Sequence, residues 1–383
     1  MLLALASLFA DISSEMLYPV LPIFLTQTLK ASGSIVGLIE GVAGASQNIV
    51  QGFSGSLSDQ LRRRKPIALV GYALSAIGKP LIGLSSAWLG VLGGRFLDRA
   101  GSGIRSAPRD ALIAASVDEQ DRGRAFGLEG VGDNAGAFLG PLLAVVLLSA
   151  LHVDIRLIFY VAVIPGSIAL LMVALVREGR GAKAETKVKI GLGGFPKAYW
   201  KYLLATAVFG IGNSSNAFLI LQTKALGASL TTTILIYAAF NLVAALISYP
   251  AGALSDRFGR RNLLLIAFVI FLATYLGFAL ARNLVTIGAL FVLYGLFQGI
   301  FRSAGKALAS DLVTDDLRAG GVGWYSSTVG VSGLAASLVA GLLWDRAGHG
   351  AVFVFGAASA LTGALALLAL VPARLERPAR ARA

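Results

Sequence analysis

Stretches of about twenty apolar residues follow one another along this 383-residue chain. Each is long enough, at about 1.5 Å per helical residue, to cross roughly 30 Å of hydrocarbon. Hydrocarbon offers no partner to a backbone N–H or C=O, so a spanning segment must satisfy its own groups, and runs of this length do so as helices. Only 14% of the residues are charged, against about 25% in an ordinary soluble domain. The spacing predicts helices near 2–27, 34–57, 66–86, 88–113, 124–150, 155–176, 200–223, 230–254, 262–281, 284–310, 322–343 and 350–371. The expectation is an all-α, multi-pass protein of the lipid bilayer with about twelve transmembrane helices.

The formal net charge of +13 does not point to nucleic acid, because the basic residues gather in short links between apolar runs. Links of one parity hold Arg62, Arg63, Arg64, Lys65, Arg122, Arg124, Arg257, Arg260, Arg261 and the basic run of 177–199, whereas the others hold only Lys30, Arg156, Lys224, Arg282 and Arg346. The positive-inside rule then places both termini in the cytoplasm of a bacterial inner (plasma) membrane. There is no cysteine, and His152 and His349 fall in links, so neither a metal site nor a cofactor is expected. No nucleotide-binding motif or nucleophile–base pair marks an enzyme. The first apolar run lacks a basic leader and carries Asp11 and Glu15, which reads as a retained helix rather than a signal peptide.

"GSLSDQLRRRK" begins at Gly55 and "GALSDRFGRRN" at Gly252, while "RSAPR" begins at Arg105 and "RSAGK" at Arg302. Both pairs share an offset of 197 positions, the mark of an internal repeat. Six helices per copy make the copies parallel, an architecture that places a transport site between its halves. The boundaries read as an N-terminal six-helix bundle over 1–176, a linker over 177–199, and a C-terminal bundle with a short basic tail over 200–383. The twin Gly-x-Leu-Ser-Asp-x-x-x-Arg-Arg pattern resembles the signature loop of the major facilitator superfamily. That resemblance implies two pseudo-symmetric six-helix bundles and gives Gly55, Asp59, Arg63, Gly252, Asp256 and Arg260 a gating role. The second copy has Gly259 at the inner glycine, where the first has Arg62. The two glycines are expected to let their helices approach the opposite half closely. Topological anchoring alone also accounts for the arginines, but not for the repeated Gly and Asp.

Gly127, Gly136 and Gly140-Pro141 on the fifth predicted helix resemble the antiporter motif of exporting members, although its last two glycines are Ala144 and Val145 here. Ordinary packing of small residues is the other reading. The fourth helix bears Arg95, Asp98, Arg99, Ser102, Arg105, Ser106 and Arg109 in one polar stripe that cannot face lipid. The resemblance implies that helices one, four, seven and ten line a cavity. They would bring Arg95, Asp98, Arg99, Arg105, Asn213, Ser214, Asn216, Gln298 and Arg302 to the solute. An exporter-type arginine is expected on helix four, and both Arg95 and Arg99 qualify. Arg109 and Lys306 are expected to snorkel to the interface, Glu40 and Lys79 to form a structural ion pair, and Glu129 and Asp133 to neutralise helix-four arginines.

Asp11 and Glu15 share one helix face, and an ionised carboxylate in hydrocarbon costs roughly 2.5–3.5 kcal/mol on insertion scales. Six acids of the first half (Asp11, Glu15, Glu40, Asp98, Glu129, Asp133) face four bases (Lys79, Arg95, Arg99, Arg105). That excess is relieved by protonation, which makes Asp11 and Glu15 the candidate proton-coupling pair. Arg302 is left for an anionic solute group or a first-half acid. The expected function is secondary active transport by alternating access: proton-coupled export of a small polar or amphipathic solute by a monomer. The alternative is proton-coupled uptake of an organic anion.

Overall fold

The computed structural model describes residues 1–61, 64–118, 121–176, 194–314 and 317–372, with no account of the side chains of 55–61, 256 and 319. The described residues form helices and no strand. In order they are α1 (Leu2–Glu15), α2 (Leu21–Ile23), α3 (Gly33–Leu61), α4 (Arg64–Leu84), α5 (Trp88–Ala115), α6 (Arg122–Val145), α7 (Ile155–Val161), α8 (Val163–Leu175), α9 (Lys197–Gly210), α10 (Ala217–Ala225), α11 (Leu230–Phe258), α12 (Arg260–Leu280), α13 (Leu284–Asp311), α14 (Arg318–Arg346) and α15 (His349–Leu370). Five-residue π-helical segments at Phe24–Thr28 and Val146–Ala150 extend α2 and α6. Eight of the helical stretches are long and apolar enough to cross a membrane. The charged stripe keeps α5 off that count, and breaks shorten α1 and α9.

Caps set several starts. Ser229 accepts from the Thr232 N–H and Asn283 from the Thr286 N–H, while Asp154 accepts from the Arg156 N–H. Such side-chain acceptors satisfy N–H groups that have no partner in the first helical turn. Between α11 and α12, Gly259 adopts φ of 87°, a turn closed to most residues with a side chain. The pairs α1–α2, α7–α8 and α9–α10 each continue one crossing, and the chain reverses from each crossing to the next, so α1 begins and α15 finishes at one end of the bundle, the terminal end.

The continuous helices expected over 2–27 and 200–223 are both interrupted. α1 stops at Glu15 and resumes as α2 at Leu21; α9 stops at Gly210 and α10 begins at Ala217. The breaks fall at corresponding places in the 197-residue repeat. Tyr18 in the first and Ser215 in the second touch each other, Oη to Oγ at 3.2 Å, across that same sequence separation of 197. Equivalent residues meet in this way when both lie on a pseudo-twofold axis. "GNSSN" explains the second break, since Ser and Asn hydrogen-bond their own backbone in competition with the helix.

α4 and α5 pack backbone to backbone. A Cβ on Gly78 would stand 2.6 Å from the Gly94 carbonyl, and one on Gly101 at the same distance from that of Gly71. A wide core of stacked aromatics fills the second half, where Phe209 lies on Phe268 at 4.0 Å and Phe271 on Tyr275 at 3.9 Å. α3 runs antiparallel to α14 along a seam of small residues. At the end of the seam remote from the termini, Asp345 accepts from the N–H groups of Gly33 and Ser34, both at 2.8 Å, and so caps α3 from a distant part of the chain.

Candidate functional site

The glycine contacts of α4 and α5 bring Lys79 beside Asp98, with Nζ 3.1 Å from Oδ1. Asp98 also accepts from Ser75 at 2.5 Å and from Arg95 at 3.2 Å. Arg95 turns its remaining donors toward α3, Nε to Glu40 at 3.0 Å and Nη2 to the other Glu40 oxygen at 3.2 Å. The expected Glu40–Lys79 pair is therefore not formed. Arg95 reaches Glu40 first, and Lys79, tied to α5 by close backbone packing, takes Asp98. Lys79, Arg95 and Asp98 are each at most 2% exposed. Pairing of this kind is what allows charges to be buried at all.

One side of this network opens on a cavity of about 320 Å³. Tyr18, Glu40, Gln47, Arg95 and Arg99 line it from the first half, and Thr206, Asn213, Ser214, Asn216, Tyr294, Gln298 and Phe301 from the second. Both helix breaks contribute, because interrupted backbone turns its short polar side chains inward. Arg95 and Arg99 stand over the Tyr18 ring at 5.4 and 5.6 Å, a cation–π arrangement. Ser215 bridges Tyr18 and Glu40, donating to Glu40 at 3.3 Å. Of the residues singled out in the sequence, Arg95, Arg99, Asn213, Ser214, Asn216 and Gln298 line this cavity. Asp98 lies behind the wall, and Arg105 and Arg302 lie elsewhere.

A second network sits nearer the terminal end. Arg105 stacks on Tyr72 at 4.5 Å and stands 3.8 Å from Asp11. Asp133 neighbours Asp11 and stands 3.9 Å from Arg109. Arg109 pairs with Glu129 at 2.8 Å and Asp110 at 2.9 Å and donates to Ser7. It does not snorkel, since carboxylates on its own helix and on α6 hold it inside. Lys306 is exposed, with Arg302 beside it and Asp110 and Asp133 facing it across the opening. Among the described residues Arg302 has no ion pair.

Glu15 joins the two networks. Its carboxylate accepts from Tyr237 at 2.9 Å and from Asn241 at 3.4 Å, both on α11, and Asn241 donates also to the Ala137 carbonyl of α6. Tyr237 stacks on Tyr18 with centroids 5.4 Å apart. Asp11 and Glu15, neighbours on one helix, thus serve different partners. Tyr18, Tyr237, Asn241 and Ser215 escaped the sequence reading. The one signal for Tyr18 is its place one turn beyond Glu15.

Gly136 and Gly140 seat α6 on α1, where a Cβ would come within 2.5 Å of the Leu8 carbonyl and 2.8 Å of the Ile12 carbonyl. Pro141 lies buried in the same stretch. Gly132 makes the next contact down, while Gly127 has open space around it. In the loops, Gly55 and Asp59 belong to α3 and Asp256 to α11, and Arg63 lies outside the described residues. Arg260 pairs with Asp311 at 2.8 Å. A Cβ on Gly252 would meet nothing within 4 Å, so the close approach expected there is not made: the neighbouring half stands away from α11 at this position.

Polar breaks facing each other across a pseudo-axis, with a cavity between repeats, define the class of a two-fold-repeated membrane carrier. The Major Facilitator Superfamily profile matches residues 3–223 and 202–383, and the chain belongs to that family. It is 34% identical over 375 residues, 96% of this chain and 93% of the other, to an uncharacterised MFS-type transporter of Methanocaldococcus jannaschii. It is 27% identical to a maltose permease of Geobacillus stearothermophilus, over 95% of this chain and 92% of that one. Its fold matches the crystal structure of the nucleoside transporter NupG, with a TM-score of 0.78, 15% identity, and coverage of 96% of this chain and 98% of that one.

Proposed function

We propose that this chain is a proton-coupled secondary active transporter that exports a small polar or amphipathic solute by alternating access. It acts as a monomer of twelve helices with both termini in the cytoplasm of a bacterial inner membrane. The observation that carries the reading is the position of the α1 carboxylates. Glu15 is hydrogen-bonded to α11 of the opposite half, and one turn away Asp11 meets Arg105 and neighbours Asp133. A proton gained or lost here alters a contact between the halves, which is the event that alternation requires. Export is supported by the glycines of α6, which press that helix onto α1 beside the same two carboxylates. With the termini inside, the Asp345 clamp lies on the outer face and the exposed Arg302 and Lys306 on the cytoplasmic side, an inward-facing arrangement.

Uptake of an organic anion is the second reading, favoured by three cations (Lys79, Arg95, Arg99) against two carboxylates (Glu40, Asp98) in the network at and behind the cavity wall. Everted vesicles acidified by respiration separate the two. A panel of organic acids, amphipathic amines and neutral glycosides is added outside while an acridine dye reports lumenal pH. An exporter releases lumenal protons as its solute enters, and the dye signal recovers. Recovery with no compound of the panel, together with proton-driven accumulation of an acid in right-side-out vesicles, rejects export in favour of uptake.

A further inference from the structure

We propose that Arg99 is the anion-binding residue of the central cavity and that the solute carries one carboxylate, which closes on it. The inference rests on reading the cavity as the solute site and is indifferent to the direction of transport.

Ionic partners in the wall are nearly all committed. Arg95 gives Nε and Nη2 to Glu40 and Nη1 to Asp98. Glu40 receives those two bonds and one from Ser215. Asp98 is filled by Ser75, Lys79 and Arg95. Arg99 is the group left over. Its Nε stands 3.7 Å from Asp98, a loose ion pair beyond hydrogen-bond range; its Nη1 makes one long bond to Gln47 at 3.4 Å; and its buried Nη2 has no acceptor. A guanidinium carries five donors in a fork that matches a carboxylate edge to edge, and buried donors without acceptors are costly. Within this set three cations face two carboxylates; the next carboxylate, Glu15, is engaged with Tyr237 and Asn241 of α11, so one negative charge at Arg99 completes the set.

The opposite wall selects what the charge is attached to. Among the described residues the second half contributes no charged side chain to the lining, but amides and hydroxyls such as Asn213, Gln298 and Thr206, the rings of Tyr294 and Phe301, and Val329. A second charge on the solute would have no partner there. A cavity of about 320 Å³ lies at the small end of ligand pockets, which run from about 300 to 1,000 Å³. The fitting solute is a compact monocarboxylic acid with a neutral polar or aromatic remainder.

The test uses isosteric probes on the full-length protein in detergent. Hippurate and its neutral amide match in size and shape and differ in charge, the amine N-(2-aminoethyl)benzamide puts a cation at the same end of the same scaffold, and lactate with lactamide repeats the acid–amide comparison at smaller bulk. At least one carboxylate is expected to raise the melting temperature in a saturable way while its matched amide and the amine do not. Arg99→Gln should weaken that carboxylate by about tenfold or more, Arg99→Lys by less, and Arg282→Gln, in an exposed link, should not weaken it. Equal stabilisation by acid and amide, stabilisation by neither acid, or full carboxylate affinity in Arg99→Gln overturns the proposal. If Arg99→Gln fails to fold, the comparison of acid with amide on the natural protein decides. Proteoliposome flux separates this proposal from the transport reading. Arg99-dependent binding without flux under a pH gradient removes transport and leaves the anion site. Proton-driven flux of amines or neutral solutes that survives Arg99→Gln removes the anion site and leaves transport.

Discussion

Arg95 shows how the chemistry of a single residue is set by what surrounds it. At 2% exposure its guanidinium is shared between Glu40 on α3 and Asp98 on its own helix, so truncation leaves two buried carboxylates short of a partner. Arg95→Gln is expected to destabilise by about 3–5 kcal/mol. Glu40→Gln in the same chain should restore part of the loss, a coupling that a double-mutant cycle in thermal unfolding reads directly. Asp11 and Glu15 behave differently, because their partners are a distant arginine and neutral donors. Asp11→Asn and Glu15→Gln should fold, at nearly constant volume, and reach the membrane in normal amount. What the double variant should lose is pH-driven solute movement, with downhill exchange retained. Uphill transport of unaltered pH dependence in that variant would relocate the proton site, with Asp133 the next candidate.

Pairs of elements owe their geometry to small residues. α4 and α5 touch through Gly71, Gly78, Gly94 and Gly101, and a valine at Gly78 forces Cβ toward the Gly94 carbonyl. Gly78→Val should cost at least the roughly 1–3 kcal/mol typical of overpacking. It should also pull Lys79 from Asp98, seen as a lower melting temperature than in Gly93→Val, whose Cβ would enter open space. α3 and α14 carry the complementary device. Asp345 holds two N–H groups and the Ser34 hydroxyl at the start of α3, where a carboxylate is also favoured by the helix dipole. The natural chain has no cysteine, so Ser149→Cys with Thr231→Cys, whose hydroxyls lie 2.6 Å apart at the same end, gives a clean crosslinking reporter. Adding Asp345→Ala should lower the crosslinked fraction severalfold. An unchanged fraction would show that the clamp does not hold this end closed.

On the scale of the whole molecule, the repeat and the pseudo-axis make a claim about motion. Two parallel halves that rock about an axis leave residues on it nearly still while the ends swing. Tyr18 and Ser215 lie at that pivot and Ser149 and Thr231 at a rim. Spin labels at the rim pair should show two distance populations that shift with pH, whereas labels flanking the pivot should show one. Equal changes at both places would exclude rocking about this axis.

Much of this was legible before any coordinates. Apolar run lengths located α3 to α6 and α11 to α15 within a few residues, because a run long enough to span hydrocarbon must satisfy its own backbone as a helix. The repeat foretold an offset of 197 at which the breaks of α1 and α9 correspond, and the charged stripe marked α5 as lining something other than lipid. The breaks in α1 and α9 were not legible, since the hydropathy of a segment does not register a backbone that leaves the helix to present Tyr18 or Ser214 to a cavity. Nor were the partners. From sequence Glu40 matched Lys79 by depth, yet the approach of α3 to α5 gave Glu40 to Arg95; Glu129 and Asp133 do meet a helix-four arginine as expected, but it is Arg109, which reach alone would assign to the interface. Sequence by itself determined that this chain is a helical membrane protein, because hydrocarbon imposes that on any such pattern of apolar runs, and that segments 197 positions apart repeat, because their residues match. Which charge neutralises which, and that Arg99 is the cavity-wall cation left with a buried donor to spare among the described residues, was decided only by tertiary structure, because a few ångströms of helix approach choose among partners that are equivalent along the chain.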